Sequence, residues 1–181
     1  MDEPIRTARL ALRPAGAEDA DELAVVFADE RLYAFTGGRP GTVEELRDTL
    51  GRLARERAAD PEAQLNWVVR RLGDEQVVGM LQAVFGGGGR SAELAWLVGV
   101  PWQGQGLASE AAVAVVARLE ALGVEQVTAW IRPDHRASEA VAAHAGLRVT
   151  DETRTSDRHE QIERLWRRRL RPAGPSGPGR G

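Results

Sequence analysis

The stretch PWQGQGLASEA, residues 101–111, links an apolar run to a long segment whose apolar residues recur with helical spacing. Gly104 and Gly106 leave the bend before that segment without side chains. The first four N–H groups of a helix lack partners within it, and the helix dipole is positive at that end. The stretch therefore predicts a turn from strand to helix whose amides, from Gly104 to Ala108, suit an anion such as a pyrophosphate.

Three interpretations of this loop compete. A dinucleotide site requires a third glycine where Ser109 stands, directly after the first strand of a βαβ unit. A nucleoside-triphosphate loop requires Gly-Lys-Ser/Thr, and the chain contains no lysine. A tight turn whose glycines serve geometry alone stays open as the structural explanation.

The segments around the loop alternate between strand and helix patterns. Strands are predicted at residues 8–14, 66–71, 77–85, 91–98, 126–131, 147–154 and 161–170, the last two forming a hairpin. Helices are predicted at residues 17–29, from Thr42 to about residue 57, at 107–122 and at 138–145. The order βααβββαβαββ indicates an α+β or mixed α/β domain.

Local signals predict where several of these elements end. Thr42 and Glu45 have the spacing of a capping box at a helix N-terminus. Gly123 stands where helix 107–122 needs a C-terminal cap, and Leu122 continues the apolar face of that helix. The four glycines at residues 86–89 precede no helix and therefore predict a hairpin turn.

Composition limits the function classes. The 181 residues are 43% hydrophobic and 28% charged, which is typical of one globular domain. A net charge of −3 argues against nucleic acid or an acidic membrane as partner, and the lack of cysteine excludes a thiol nucleophile. No segment resembles a signal peptide or membrane span, so we expect a cytoplasmic location. We expect a single domain at residues 1–171 and a disordered Pro/Gly-rich tail at 172–181.

The segment VGVPWQGQGLASEA resembles the acyl-CoA pyrophosphate loop of the GNAT superfamily of N-acyltransferases. Gln103, Gly106 and Ala108 fill the fixed places of its Gln/Arg-x-x-Gly-x-Gly/Ala signature. RLALRPAGAEDADEL, AELAWLV and IRPDHRASEAVAAHAGLRV are similar to other segments of the branch that contains ribosomal-protein N-terminal acetyltransferases. The resemblance covers roughly residues 7–170. It implies a twisted mixed sheet of about seven strands with about four helices, splayed in a V between its fourth and fifth strands.

The resemblance also implies where the co-substrate acetyl-CoA would bind. The main chain of Leu97 and Val98 would pair with its pantetheine arm, a peptide-like chain that needs main-chain partners. Its pyrophosphate would lie on the loop residues Gln103, Gly104, Gln105, Gly106, Leu107 and Ala108, with the hydroxyl of Ser109 as an additional donor.

Ser138 matches the serine of the family's N-x-x-S segment, which would hydrogen-bond the sulfur of the cofactor and protonate the leaving thiolate. A plain helix N-cap before EAVAAHA is the other interpretation of Ser138, and one serine can do both. His135 stands where the family usually has asparagine, so an imidazole would replace an amide at the cofactor.

Other departures from the family concern proton transfer. The frequent tyrosine general acid would fall at Ala142, which has no proton to give, and a glutamate of the fifth strand would fall at Trp130. Leu147 replaces the usual phenylalanine, a modest change in packing. The cofactor site therefore looks intact, whereas the proton-transfer groups are rearranged.

Glu93 is the candidate general base. An ammonium acceptor must lose a proton before it attacks a thioester, and amide donors near Val98 would stabilise the oxyanion that forms. Glu93 lies on the strand that leads to the loop, and an ordinary exposed strand carboxylate is the alternative.

Tyr33 is the candidate on the acceptor side. It lies in RLYAFTGGRP, between the first two predicted helices, a segment that lines the acceptor side in relatives. A packing aromatic beside Phe35 is the other interpretation.

Several further features predict no separate function. His135, His144 and His159 lack metal-ligand spacing, so no metal is expected. The arginines of residues 164–171 are interpreted as the solvated face of a strand rather than a nucleic-acid patch, and Glu110 as favourable through the helix dipole alone.

The sequence thus favours an N-acetyltransferase that moves an acetyl group from acetyl-CoA to a primary amine in a ternary complex. The acceptor would be a protein N-terminus or a small-molecule amine, and the chain is a candidate homodimer. The alternatives are a weakly catalytic acyl-CoA sensor and, disfavoured by net charge, a nucleic-acid binder.

Overall fold

The structure is a computed structural model that describes residues 3–35, 37–60, 64–156 and 161–171. Its strands are β1 (Ile5–Arg6), β2 (Leu10–Pro14), β3 (Gln64–Arg71), β4 (Val77–Gly86), β5 (Ser91–Val98), β6 (Gln126–Ile131), β7 (Arg148–Thr155) and β8 (Ile162–Arg169). Its α-helices are α1 (Ala20–Val26), α2 (Val43–Ala59), α3 (Leu107–Ala121) and α4 (Arg136–His144), with short 3-10 turns at Ala17–Asp19, Glu30–Tyr33 and Val100–Trp102.

The strands of the described residues form one mixed sheet in the order β1-β2-β3-β4-β5-β6-β8-β7. The strands β1 to β5 form an antiparallel meander. β5 and β6 run parallel because α3 carries the chain back between them, and β8 and β7 complete the sheet as an antiparallel hairpin.

Helices cover the two faces of this sheet. Alternation along β3 sends Trp67 and Val69 into the core cluster under α3 and α4, whereas Val68 joins the cluster formed with α1 and α2. All three side chains are at most 2% exposed. Burial on both faces holds the centre of the sheet rigid and so fixes the relative positions of β5, β6 and the loop between them.

The mixed α/β fold predicted from the sequence is confirmed, with four α-helices in the part of the chain that the structure describes. The sheet has eight strands in the described residues rather than about seven, because Ile5 and Arg6 pair with Leu12 and Ala11 ahead of the predicted first strand. The capping box is confirmed, since Glu45 N donates to Thr42 Oγ1 at 3.2 Å and Thr42 N donates to Glu45 Oε2 at 2.9 Å. The glycine-rich segment forms the predicted turn between β4 and β5.

Some predicted boundaries were wrong. The predicted helix 17–29 is a 3-10 turn followed by α1, which ends at Val26, although Phe27 still buries its ring. Leu122 does not continue the apolar face of α3: it is 40% exposed, because the helix ends at Ala121 and Gly123 reverses the chain with φ +89°.

The start of the last helix also differs from the prediction. α4 begins at Arg136, and its N-cap is His135 rather than Ser138. The tail at residues 172–181 and His159 lie outside the described residues. No described helix combines the length and the apolar character that a membrane crossing requires.

Candidate active site

A wedge opens in the sheet between β5 and β6. The two strands pair only from Ser91 to Glu93 on β5 and from Gln126 to Thr128 on β6. Beyond these residues the strands separate, as the sequence predicted. A cavity of about 370 Å³ fills the opening. The two separating strands line it with Glu93, Leu94, Ala95 and Trp96 from β5 and with Ala129, Trp130 and Ile131 from β6.

The edge of β5 in this wedge has backbone groups without a strand partner. Gly99 N donates to Val78 O at 2.9 Å, which makes them a hydrogen-bonded pair. Such pairs alternate along an antiparallel ladder, so Val98, opposite Gly79, points its backbone groups away from β4 and towards the wedge. The backbone groups of Trp96, two residues earlier, also point towards the wedge, whereas those of Leu97 point towards its partner Met80 on β4. The geometry therefore favours Val98 and Trp96 over Leu97 for main-chain contacts with a ligand in the wedge. The two-residue period of a strand is the sequence signal that could have identified Trp96.

The glycines of the loop are required by backbone conformation. Gly104 has φ +74° and Gly106 has φ +76°, a left-handed region that residues with a Cβ rarely adopt. A Cβ at Gly104 would meet no atom within 4 Å, so crowding within the protein does not explain the glycine. The loop is a left-handed turn with open space above it, which leaves the backbone accessible to a ligand.

The loop presents donors that the protein does not use. The backbone N–H groups of residues 104–109 meet no acceptor within the described part of the chain. The side chains of Gln103 and Gln105 brace the loop instead, donating to Val98 O and Pro101 O at 3.0 Å each. Gln103 and Gln105 therefore support the shape of the loop, while the amides from Gly104 through Leu107 and Ala108 to Ser109 are the donors left for an anion, whose binding stays a prediction.

Ser138 and His135 line the wedge from α4. His135 Nδ1 accepts a hydrogen bond from Ser138 N at 3.4 Å, so the imidazole caps the helix. The hydroxyl of Ser138 has no hydrogen-bond partner among the described residues and is free to contact a ligand. The N-cap interpretation of Ser138 is thereby corrected, and its chemical interpretation stays a prediction.

His135 is set up as a neutral donor. Burial lowers the pKa of its imidazole below the ordinary 6.5, against the opposing charge of Asp134. Its ring packs on Phe35 with ring centroids 4.1 Å apart. Because Nδ1 accepts from the backbone, the proton of the neutral ring belongs on Nε2, which is then a donor like the family's asparagine amide.

Glu93 lies in the wedge but is not alone there. Its Oε1 is 3.7 Å from Nη2 of Arg154, whose Nε donates to Glu163 Oε2 at 2.8 Å. The guanidinium of Arg154 also lies 4.6 Å from the centre of the Trp130 ring. The side chain of Glu93 is 45% exposed, so this carboxylate is more solvated than a buried base. Sequence reasoning missed Arg154 and Glu163 because they come from the distant β7–β8 hairpin.

Tyr33 is held away from the wedge lining. Its hydroxyl donates to Phe27 O at 3.0 Å, and burial raises the pKa of the phenol. Its neighbour Phe35 does line the cavity, beneath the guanidinium of Arg132 at 5.0 Å. The packing interpretation of Tyr33 fits this geometry, and Phe35 is the aromatic residue of this segment that reaches the site.

The remaining polar features fit structural roles. The described residues contain no group of three or more His, Asp or Glu side chains placed to hold a metal ion. His144 Nδ1 lies 2.7 Å from Ala140 O on the exposed face of α4. On β8, Arg167 pairs with Glu152 at 2.9 Å and Arg168 donates to Ala145 O at 2.9 Å, so these arginines serve local contacts.

Comparison with known proteins identifies the same architecture. Residues 9–148 match a family model described as an acetyltransferase (GNAT) domain. A search of curated proteins gives no match.

Solved structures with the same fold include RimJ from Mycobacterium smegmatis in complex with CoA-disulfide, which is 22% identical with a TM-score of 0.76 over 92% of this chain and 86% of that one. An acetyl transferase from Salmonella typhimurium, described as modifying the N-terminal serine of a 50S ribosomal subunit protein, is 17% identical with a TM-score of 0.80 over 93% and 100%. The microcin self-immunity acetyltransferase MccE, in complex with acetyl-CoA and AMP, is 11% identical with a TM-score of 0.79 over 91% and 94%. At these identities the likeness shows the fold.

Proposed function

Because the chain belongs to the acetyltransferase (GNAT) family, we propose that it transfers an acetyl group from acetyl-CoA to a primary amine by direct attack in a ternary complex. One observation carries the proposal. The strand edge that opens into the wedge leads, through the 3-10 turn Val100–Trp102, into the left-handed loop. The N–H groups of this loop at residues 104–109 lack acceptors within the described part of the chain.

Acetyl-CoA fits the donors of this arrangement. The amides at the start of α3 suit the pyrophosphate, since they add the positive end of the helix dipole to unused hydrogen bonds. The wedge-facing backbone of Trp96 suits the amide groups of the pantetheine arm, as an added strand would. Val98 offers only its N–H there, because its carbonyl accepts from Gln103. The complexes of RimJ with CoA-disulfide and of MccE with acetyl-CoA support this assignment by fold.

The reacting groups then meet near Val98 and Ser138. Attack by the neutral amine forms a C–N bond at the thioester carbonyl, and the N–H of Val98 donates to the oxyanion that develops. As the C–S bond breaks, the thiolate takes the hydroxyl proton of Ser138. The attacking nitrogen loses its extra proton to solvent, and solvent returns a proton to Ser138, which leaves the amide and the free thiol. The Nε2–H of His135 holds the cofactor from the other side of the wedge.

Glu93 is the group that takes the proton of the acceptor, directly or through a water molecule. Its carboxylate faces the cavity, but Arg154 approaches it at 3.7 Å. An acceptor ammonium therefore enters in competition with the guanidinium, and the neutral amine forms when Glu93 removes its proton.

The acceptor is a cation by this reasoning. Glu93 and the ring of Trp96 attract a cation in the cavity, in competition with Arg154, which already contacts Glu93, Glu163 and the Trp130 ring. A protein N-terminus and a small primary amine both satisfy these requirements. The structurally similar protein that modifies the N-terminal serine of a ribosomal subunit protein supports the former. A ribosomal acceptor would place the activity of this chain in the cytoplasm.

The test is turnover of acetyl-CoA against a panel of N-terminal peptides, polyamines and amino sugars, with CoA affinity measured by calorimetry. We expect release of CoA and an acetylated product with at least one amine. Tight CoA binding without turnover on any amine would instead favour the acyl-CoA sensor. Failure to bind CoA at all would overturn the cofactor assignment.

A further inference from the structure

An ionic contact joins the N-terminal turn of the chain to the start of α3. Glu110, in the first turn of the helix, accepts from Arg9 Nε at 2.6 Å, from Arg9 N at 2.9 Å and from Thr7 Oγ1 at 2.5 Å. Its side chain is only 19% exposed. Thr7 in turn accepts from Leu10 N at 2.9 Å, so the carboxylate is anchored to the edge of β2.

The same arginine reaches the loop. Arg9 Nη1 donates to the carbonyl oxygen of Gln105 at 3.0 Å, and its Nη2 lies 3.6 Å from the place where a Cβ on Gly106 would stand. Gln105 lies between the two left-handed glycines. The guanidinium is thus held by Glu110 on one side and holds the loop on the other.

Because the peptide group is planar and trans, the contact of Arg9 with the Gln105 carbonyl also fixes the direction of the next N–H group. The carbonyl of Gln105 and the N–H of Gly106 belong to one peptide group and point in opposite directions. A carbonyl fixed towards Arg9 therefore aims the N–H of Gly106 at the open side of the loop. Without the arginine, this peptide is free to rotate about ψ of Gln105 and φ of Gly106, because glycine tolerates both signs of φ.

We propose that Arg9 is a positioning residue of the phosphate-binding loop, and that Glu110 holds it in place. Arg9 acts through the Gln105–Gly106 peptide, which presents its N–H to the pyrophosphate of acetyl-CoA. The inference rests on the proposed function for the identity of that ligand, but the orientation of the peptide is a property of the free protein. Glu110 therefore does more than complement the helix dipole.

The protonation of Glu110 agrees with this arrangement. Burial alone raises the pKa of its carboxyl, but the hydrogen bonds from Thr7 and Arg9 outweigh burial and lower the pKa overall. The carboxylate is therefore charged at neutral pH and keeps its ion pair with the guanidinium of Arg9. An Arg–carboxylate contact with several donors is also among the stronger hydrogen-bonded pairs.

Two variants separate positioning from simple charge. Glu110→Gln removes a negative charge near the phosphates, so electrostatics alone predicts tighter CoA binding. Positioning predicts the reverse, because the amide cannot accept both contacts from Arg9. Arg9→Lys keeps the positive charge, but one ammonium cannot span Glu110 and the Gln105 carbonyl. Arg71→Met is the matched control, since Arg71 pairs with Asp74 beside β2 without touching the loop.

The experiment has a readout without ligand and one with CoA. In the free protein, amide chemical shifts and hydrogen exchange of Gly106 and Leu107 should change in Glu110→Gln and Arg9→Lys and stay unchanged in Arg71→Met. The dissociation constant of CoA, measured by calorimetry, should rise about 10-fold in Glu110→Gln and in Arg9→Lys. This factor corresponds to the loss of one charge-assisted hydrogen bond.

The outcomes are distinguishable. Tighter CoA binding by Glu110→Gln, or unchanged loop amides in both variants, overturns the positioning role. If wild-type protein fails to bind CoA, the proposed function fails, while the amide shifts of the free variants still decide whether Arg9 orients the loop. If Glu110→Gln does not fold, Arg9→Lys provides the same two readouts.

Discussion

Glu93 and Thr128 are the last residues that pair between β5 and β6. β5 continues to Val98 and β6 to Ile131 without further pairing between them. The general-base candidate therefore stands at the vertex of the wedge, and the thioester would lie along the unpaired edge above it. The position of Glu93 is set by the end of a strand pair rather than by a flexible loop, which favours a defined geometry.

The loop glycines can be tested with a matched pair of variants. Gly104→Ala and Gly88→Ala both place a Cβ at a left-handed residue with no atom within 4 Å, at φ +74° and +67°. Each should lower the free energy of unfolding by roughly 1–2 kcal/mol. We expect only Gly104→Ala to weaken CoA binding in calorimetry, because Gly88 lies in the β4–β5 turn. Equal CoA affinity in the two variants would argue that the loop is a plain turn.

Ser138→Ala tests the leaving-group role. Turnover should fall by about 10², the lower range for positioned proton transfer, while CoA affinity changes little. The melting temperature should stay near wild type, because His135 caps α4. Arg136→Ala, an exposed change in the same helical turn, is the control. A loss of stability with unchanged turnover would restore a purely structural role.

Glu93→Gln tests the base. The amide keeps the shape of the side chain but cannot take a proton, so turnover should fall by about 10² to 10⁴ at unchanged CoA affinity. Glu152→Gln, which removes an exposed carboxylate paired with Arg167 on the same side of the sheet, should leave turnover unchanged. Weaker acceptor binding at normal turnover would mean that Glu93 anchors the acceptor ammonium. No effect on either quantity would mean that the acceptor loses its proton to water instead of to Glu93.

His135→Asn tests the half-buried imidazole through the pH dependence of stability. Burial lowers the pKa of His135 below 6.5, so the unfolded chain binds the proton more readily than the folded one. Stability from this site is present above pH 6.5 and is lost as pH falls through the folded pKa. The melting temperature of wild type should therefore drop relative to that of His135→Asn between about pH 7 and pH 5. The charged neighbours Asp134, Arg132 and Glu139 are unchanged in both proteins.

A matched control separates burial from the loss of any histidine. His144→Asn removes a ring from the exposed face of the same helix. We expect the difference in melting temperature between wild type and His144→Asn to change less with pH than that between wild type and His135→Asn. An equal or opposite trend in the two variants would contradict the assignment of a neutral His135 donor.

Local chemistry made much of the fold predictable. The capping box of Thr42 and Glu45 and the left-handed cap at Gly123 are decided within a few residues, so both were read from the sequence. Period-2 alternation located β5 and β6 to the residue. The predicted start of α4 was wrong because the side chain of His135, rather than the serine typical of N-caps, accepts the capping hydrogen bond from Ser138 N.

The sequence by itself determined the loop, because two glycines between a strand and a helix permit the left-handed backbone that other residues rarely adopt. It also determined the family. Only the tertiary structure decided what stands around the loop: Arg9 lies 96 residues before Gln105 in the chain, and Arg154 comes to Glu93 from a hairpin beyond α4. Such contacts depend on the order of strands in the sheet, and a local pattern carries no information about which distant charge the sheet will bring alongside.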